Sequence, residues 1–280
     1  MKYWRWYVRL FILLTMGAAA LYAGFVEREW VEVTHHRLNL PEWQGRVARL
    51  AVLSDLHVRP EDEDYLRRIV ERTLAEKPDA VLLLGDYVNG IRDDDSISPE
   101  KLEEILRPLT AVPCFAVLGN HDYWYGARKL RKMFKRLNIP LMEGKKQELV
   151  IGGAPITIAG MRCAFTYRYP GAVSQSETGK PFILLTHSPA GVKFAPPGTT
   201  ITLAGHTHGG QIRMPFYGAL VMPDRDVSRK KSAGYHEEKE KAFYVSRGIG
   251  TSQLPLRFCC RPEILILELA GFPALSEESR

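Results

Sequence analysis

Cysteine is scarce in this sequence of 280 residues, and the four present (Cys114, Cys163, Cys259 and Cys260) lack the paired spacing of a thiolate metal site. Cys114, inside an apolar run, reads as core packing, and any pairing among the four outside the cytoplasm stays open. No internal repeat or low-complexity block is found, which excludes a repeat architecture. Glycine and proline punctuate the chain without dominating it. No Arg-Arg pair precedes the N-terminal apolar run, so a twin-arginine export signal has no support. An excess of positive charge is there, but it is small: the net charge is +6, and half of it sits in the first nine residues as Lys2, Arg5 and Arg9. A basic isoelectric point therefore says little about nucleic acid. With 45% apolar and 25% charged residues, the length suits one sizeable globular domain with a substantial core.

Five apolar runs each end in residues able to hold a metal or a phosphate. They are Ala51–His57, Val81–Asp86, Phe115–Asp122, Phe182–His187 and Ile201–His208. A short apolar run closed by glycine or a polar residue is the mark of a buried strand, and open α/β sheets bind ligands beyond the carboxyl ends of their strands. Five such ends bring Asp55, Asp86 and Asp122, the amide of Asn120, and the imidazoles of His57, His121, His187, His206 and His208 to one rim. Any one of these alone reads as a turn residue or cap. Five of the eight histidines share the pattern, however, and only His35, His36 and His236 lie outside it.

Carboxylates, an amide carbonyl and imidazoles, with no thiolate, suit Mn, Fe or Zn, with Mg also compatible. The donors exceed what one ion needs and fit two octahedral ions sharing a carboxylate. A pair of ions about 3.5–4 Å apart stabilises the attacking and leaving oxygens of a phosphoryl transfer and lowers the pKa of water. A two-metal hydrolase is the favoured reading.

The ordered blocks Asp55-Leu-His57, Gly85-Asp86, Gly119-Asn120-His121-Asp122, His187 and Gly205-His206-Thr-His208 resemble the calcineurin-like metallophosphoesterase superfamily. Gly205–Gln211, Ser246–Gly250 and Arg261-Pro262-Glu263 are similar to a narrower group, the membrane-associated bacterial phosphodiesterases of the YaeI and YkuE type. The resemblance implies two divalent ions. Asp55, His57 and His208 would hold the first, Asn120, His187 and His206 the second, and Asp86 would bridge both. It further implies that His121 acts on the scissile phosphate and that Asp122 orients His121. The stretch Cys163–Lys180 is polar and contains Gly and Pro, unlike the helix-bearing acidic segment that the resemblance implies there.

Between the strands, apolar spacing predicts helices over Asp64–Lys77, Pro99–Leu109 and Gly126–Asn138. Helices alternating with strands argue for βαβ units in the first half. Short strands over Leu149–Ile151, Ile156–Ala159, Ala242–Ser246 and Ile264–Leu269 dominate the second. The fold class expected is an α/β sandwich of two stacked mixed sheets flanked by helices, the calcineurin-like arrangement, with an N-terminal hydrophobic helix. The catalytic domain is expected over residues 46–272.

Residues 1–28 form a separate object: Lys2, Arg5 and Arg9 precede an apolar run, Leu10–Val26, of a length near the lower limit for a bilayer span. Trp4, Trp6, Tyr7 and Tyr22 are placed as interfacial aromatics. A single-pass inner-membrane anchor is favoured over a signal cleaved near Ala18-Ala19-Ala20 and over a buried core helix. The three cations before the run, against Arg28 and Arg37 after it, favour a cytoplasmic N-terminus and an extracytoplasmic catalytic domain.

The function expected is a dinuclear metal-dependent hydrolase of phosphodiester or pyrophosphate bonds near the membrane, with a substrate that can be lipid-linked and no specific nucleic-acid partner. A UDP-2,3-diacylglucosamine-type nucleotide-lipid pyrophosphatase is the rival enzyme, since it would use the same metal site. A non-catalytic module of the same fold is disfavoured because no ligand is missing. Specificity is expected in Tyr123–Tyr125, Tyr167–Tyr169 and Leu254–Arg261. The third helix carries six cations between Arg128 and Arg136 and no acid, so it is either a solvated surface helix or a face for anionic headgroups.

Overall fold

The computed structural model describes residues 2–90, 95–171, 173–174, 179–224 and 226–272. The chain opens with α1 (Lys2–Leu21), a π-helical turn over Tyr22–Val26 and a single 3-10 turn. There follow β1 (Glu32–Asn39), β2 (Ala48–Leu53), α2 (Glu63–Ala75), β3 (Ala80–Leu83), α3 (Pro99–Leu106), β4 (Cys114–Ala116) and α4 (Asn120–Arg136). The second half contains β5 (Lys145–Ile151), β6 (Ala154–Gly160), β7 (Phe182–Leu185), β8 (Ile201–Ala204), β9 (Arg213–Met214) and β10 (Gly218–Ala219). It ends in β11 (Gly234–Glu238), β12 (Lys241–Val245) and β13 (Glu263–Ala270).

One sheet has the order β1-β13-β2-β3-β4 and the other β11-β12-β8-β7-β6-β5, both mixed in direction. The inner strands β3 and β7 read as unbroken apolar runs because both of their faces are covered. Leu50, Val52, Leu82, Leu265 and Leu267 meet Ile156, Ile158, Ile183, Leu185 and Leu203 between the sheets. On the outer face of the first sheet, Ala51, Leu53, Val81, Leu83 and Ile266 pack under the helices. Leu66, Ile69 and Val70 of α2, each 2% exposed or less, lie on that face. Full burial of each such side chain is worth about 1.5–3 kcal/mol. The sandwich of two stacked sheets is therefore the one anticipated.

Local signals explain the helix ends. Ser98 caps α3 by accepting from the Lys101 amide, with Pro99 in the first turn. Pro78 stops α2, and Asn138 at φ 56 ends α4. The third expected helix needs correction. It begins at Asn120, well before Gly126, because Gly119 is its N-cap and the Asp122 carboxylate accepts the Gly119 amide. Gly126 sits inside it as a kink, at φ 131, which only glycine adopts without penalty. Tyr123-Trp124-Tyr125 is thus helical and not a loop.

β1 and β11 escaped the sequence reading because both are half-exposed edge strands rich in polar residues. β1 pairs with β13 from Glu32↔Glu263 to Asn39↔Ala270, so the first sheet draws on residues upstream of position 46. His35 and His36 lie on it away from the strand-end rim, His36 stacked on Tyr235 at 4.5 Å. Two of the six cations of α4 find acids among the described residues: Arg131 pairs with Glu143, and Arg136 with Glu103. Those acids come from elsewhere in the chain, and Leu130, Met133 and Phe134 pack into the core. Both facts match a solvated surface helix.

Candidate metal and phosphoester site

All five strand ends converge. Asp55 and His57 follow β2, Asp86 follows β3, Asn120 and His121 open α4, His187 follows β7, and His206 and His208 follow β8. Asp86 is at the centre: its Oδ2 is 3.1 Å from His187 Nε2 and 3.4 Å from His57 Nε2. On one side His57 Nε2 and His208 Nε2 are 3.1 Å apart, with Asp55 Oδ1 3.6 Å from His208 Nε2. On the other, Asn120 Oδ1 is 3.2 Å from His187 Nε2, and the ring centroids of His187 and His206 are 5.1 Å apart. Asp55, His57 and His208 form one group able to grip a cation, Asp86, His187 and His206 a second, and a third joins His57 and Asp86 to the half-buried His121. All seven side chains expected as ligands are buried.

The backbone is bent to make this possible. Asp55, His57, Asp86, His206 and His208 have φ of 51, 42, 53, 70 and 51, the left-handed region that L-residues avoid. Each such residue costs about 1–2 kcal/mol, a cost that tends to persist where function demands it. Glycine gives the space: a Cβ on Gly205 would strike Ser54 and the Asp55 carboxylate, and one on Gly119 would strike Asp86. The outer nitrogen of His187 is anchored through Nδ1 to the Leu84 carbonyl at 2.8 Å. Ser54 donates to Asp55 Oδ2 at 2.6 Å.

Burial dominates the electrostatics. It pushes the His206 imidazole down to about 3 and His208 well below its ordinary value, with His187 and His57 respectively adding to the effect. Burial would also raise Asp86, but His187 and His57 beside it hold the carboxyl well below the usual range. The nitrogens His57 Nδ1, His206 Nε2 and His208 Nδ1 are buried with no hydrogen-bond partner. Buried polar atoms are rarely left so, because each unsatisfied group costs about 1–3 kcal/mol. Buried carboxylates and imidazoles with orphaned ring nitrogens in one cluster, without a thiolate, fit divalent cations.

His121 stands at the edge of the cluster, half-buried, its ring 4.5 Å from that of His57. Its Nδ1–H donates to the Asn89 carbonyl at 2.6 Å, which fixes the tautomer and leaves Nε2 free for a ligand. This corrects the expectation for Asp122. Its carboxylate accepts the amides of Gly119 and Asp86, both at 2.8 Å, and of Tyr87 at 2.9 Å. It ties two ligand loops together, and Asn89 is what orients His121. Sequence reading missed Asn89, although Asn89-Gly90 is a turn signal just beyond Asp86.

It also missed Arg257, which is completely buried. Its guanidinium donates to the carbonyls of Arg247, Gly248, Gly250 and Cys260 at 2.6–3.1 Å. The loop it gathers buttresses the first ligand strand, since Ile249 and Gly250 donate to the carbonyls of Ser54 and Asp55. A cavity of about 550 Å³ opens from the cluster, with Trp124, Phe165, Leu220, Val221 and Leu254 as its apolar wall. Trp124 and Leu254 were anticipated as specificity positions. Tyr167 instead packs on Tyr123, beside a separate groove. The four cysteines are unpaired, and none belongs to a metal-gripping group among the described residues.

The family profile of calcineurin-like phosphoesterases matches residues 48–210. The chain belongs to that family, and it is a metallophosphoesterase, a hydrolase of phosphoric esters. It is 30% identical to the phosphodiesterase YaeI of Escherichia coli (strain K12) over 93% of this chain and 98% of that one. It is 29% identical to the metallophosphoesterase YkuE of Bacillus subtilis (strain 168) over 91% of each. Among solved structures, the 5'-nucleotidase precursor from Thermus thermophilus superposes with TM-score 0.47 at 14% identity, over 80% of this chain and 54% of that one.

Proposed function

We propose that the chain is a dinuclear metal-dependent phosphodiesterase or pyrophosphatase, tethered by residues 1–28 to the inner membrane, with its catalytic domain, which takes in β1 as well as residues 46–272, on the extracytoplasmic side. The observation that carries this reading is the meeting of seven donor side chains in one buried cluster with orphaned imidazole nitrogens. Asp55, His57 and His208 would hold one ion, Asn120, His187 and His206 the other, and Asp86 both. Two divalent ions, Mn, Fe or Zn by donor type with Mg also compatible, would supply a nucleophilic water at neutral pH and positive charge against the reacting oxygens.

The remaining work falls to this chain's own groups. His121 Nε2, bare because the Asn89 hydrogen bond keeps the ring hydrogen on Nδ1 and burial holds the ring's pKa down at about 4, would take up the proton that the attacking water gives up and pass it to the leaving oxygen. Water adds to phosphorus, the P–O bond to the leaving group breaks, and the proton ends on that oxygen. A diester then yields a monoester and an alcohol, and a pyrophosphate yields two phosphates. Trp124 and Phe165, 4.8 Å from His121 and 4.6 Å from His206, exclude bulk water on the open side. The apolar wall also accommodates the lipid half of a UDP-2,3-diacylglucosamine-type substrate, the second reading, which needs the catalytic domain on the cytoplasmic side.

The test is metal analysis and bis(p-nitrophenyl) phosphate hydrolysis by wild type and Asp86→Asn. Loss of both ions and of turnover in the variant is expected, because Asp86 serves both halves. Full activity in the metal-free protein or in the variant would refute the dinuclear reading.

A further inference from the structure

The surface between the membrane-type helix and the catalytic cavity is apolar in an unusual way. The hairpin β9–β10 exposes Met214, Phe216 and Tyr217, and its outgoing strand leads to Leu220 and Val221. Phe216 at the tip is fully exposed and holds φ 65, a conformation that bulky residues seldom adopt. Across from it, Leu254 is 56% exposed, and Val221 is 73% exposed. A soluble surface rarely gathers so many large apolar side chains in one place.

This patch is continuous at both ends. Inward, Leu220, Val221 and Leu254 line the same cavity as His57, Asp86, His206 and His208. Outward, the hairpin is hydrogen-bonded to the 252–258 segment through Arg213 N–H to the Phe258 carbonyl at 2.8 Å and Phe258 N–H to the Gln211 carbonyl at 3.0 Å. Gln211 clamps the Leu254 turn through Nε2 to the Leu254 carbonyl at 2.6 Å. That segment in turn docks on the foot of the N-terminal helix: Arg257 N–H donates to the Ala23 carbonyl at 3.0 Å. A Cβ on Gly24 would lie 3.2 Å from Leu256.

The foot of the helix marks a headgroup level. Tyr3–Glu29 is long and apolar enough to cross a bilayer. Trp30 beyond it is half exposed and stacked under Arg261 at 3.6 Å, an arrangement suited to the interface. Arg229 likewise stands 4.5 Å over Tyr217, placing a cation beside the hairpin tip where an anionic headgroup would sit. A helix leaving the bilayer at Ala23–Glu27 brings the 254–256 turn and the hairpin to the same depth.

We propose that the β9–β10 hairpin and the Leu254 turn form a rim that dips into the bilayer beside the anchor, and that the cavity takes a lipid-linked phosphoester. The headgroup phosphorus sits at the donor cluster, and the hydrocarbon chain runs out along Leu220, Val221 and Leu254 into the membrane. This assignment rests on the phosphoesterase reading and adds to it the class of substrate and the residues that select it.

Full-length protein in proteoliposomes, loaded with Mn²⁺, should hydrolyse p-nitrophenyl octyl phosphate with kcat/KM at least tenfold above p-nitrophenyl methyl phosphate. The two share a leaving group and differ only in the chain. Val221→Asp and Leu254→Asp change exposed positions and should abolish the preference. In Phe216→Trp, the added fluorescence should be quenched by brominated phosphatidylcholine beyond the wild-type level. Equal cleavage of both esters, or a preference untouched by the two Asp variants, overturns the substrate assignment while leaving the hydrolase intact. Absence of extra quenching overturns the membrane seating. Failure to cleave either ester refutes the phosphodiesterase arm of the proposed function, and the lipid-linked phosphoester assignment with it.

Discussion

Asp122 offers the sharpest separation between two roles, because a carboxylate next to the histidine proposed as the proton carrier invites a catalytic interpretation that its hydrogen bonds do not support. Its Oδ2 takes the amides of Gly119 and Asp86 and its Oδ1 that of Tyr87. In Asp122→Asn the amide oxygen can keep the first two, but the NH₂ group then faces the Tyr87 N–H, leaving one buried donor unpaired. That costs about 1–3 kcal/mol. Asp122→Ala strands all three, for a loss of roughly 3–9 kcal/mol, a large share of the 5–15 kcal/mol typical of a domain. Urea unfolding of the metal-loaded proteins should therefore rank wild type above Asn and Asn well above Ala. For the folded Asn variant, kcat on bis(p-nitrophenyl) phosphate should stay within about tenfold of wild type, short of the 10²–10⁴ range of a lost acid–base group. If the midpoint is unmoved while kcat falls by more than that and the pH profile shifts, Asp122 acts on His121 after all and the bracing role is refuted.

His121→Ala should lower kcat by about 10²–10⁴ with metal content nearly unchanged. Loss of metal comparable to that in His206→Ala would make His121 a ligand. Gly205→Ala forces a methyl against Ser54 and Asp55 in a fully buried place, so metal affinity and thermal midpoint should fall together; overpacking of this kind costs about 1–3 kcal/mol or more, and an unchanged metal titration would refute the close-approach argument. A C-terminal alkaline-phosphatase fusion should be active and a fluorescent fusion dark. Cytoplasmic fluorescence instead would reverse the assigned topology and favour the nucleotide-lipid reading.

Much of this could be read before any coordinates. The buried strands announced themselves as apolar runs, and β7 and β8 begin where the runs Phe182–His187 and Ile201–His208 begin and end with their last apolar residues, Leu185 and Ala204. The candidate ligands were legible for the same reason, being polar residues within a few positions of the ends of those runs. What stayed hidden depends on long-range partners. β1 and β11 are edge strands whose polar sequence carries no core signal. Asn89 acts through its carbonyl, which every residue has, and Arg257 acts as a buried cation gripping four carbonyls, whereas composition places arginine at the surface. The acids that neutralise α4 lie outside its own sequence, so a scan for pairs along the helix could not find them.

The position of β13 has a consequence for how the chain is made. It lies late in the sequence, yet it sits between β1 and β2, two strands that come early. Until it emerges from the ribosome, the edges of β1 and β2 that it will pair with are bare, and the row of backbone groups on each is a template for the wrong partner. The nascent chain would wait in that state through most of its synthesis. Premature termination anywhere upstream of residue 263 leaves a sheet that cannot close, so truncated products should aggregate or be degraded instead of persisting as weak enzymes. The closing strand thus acts as a late checkpoint on the completeness of the chain.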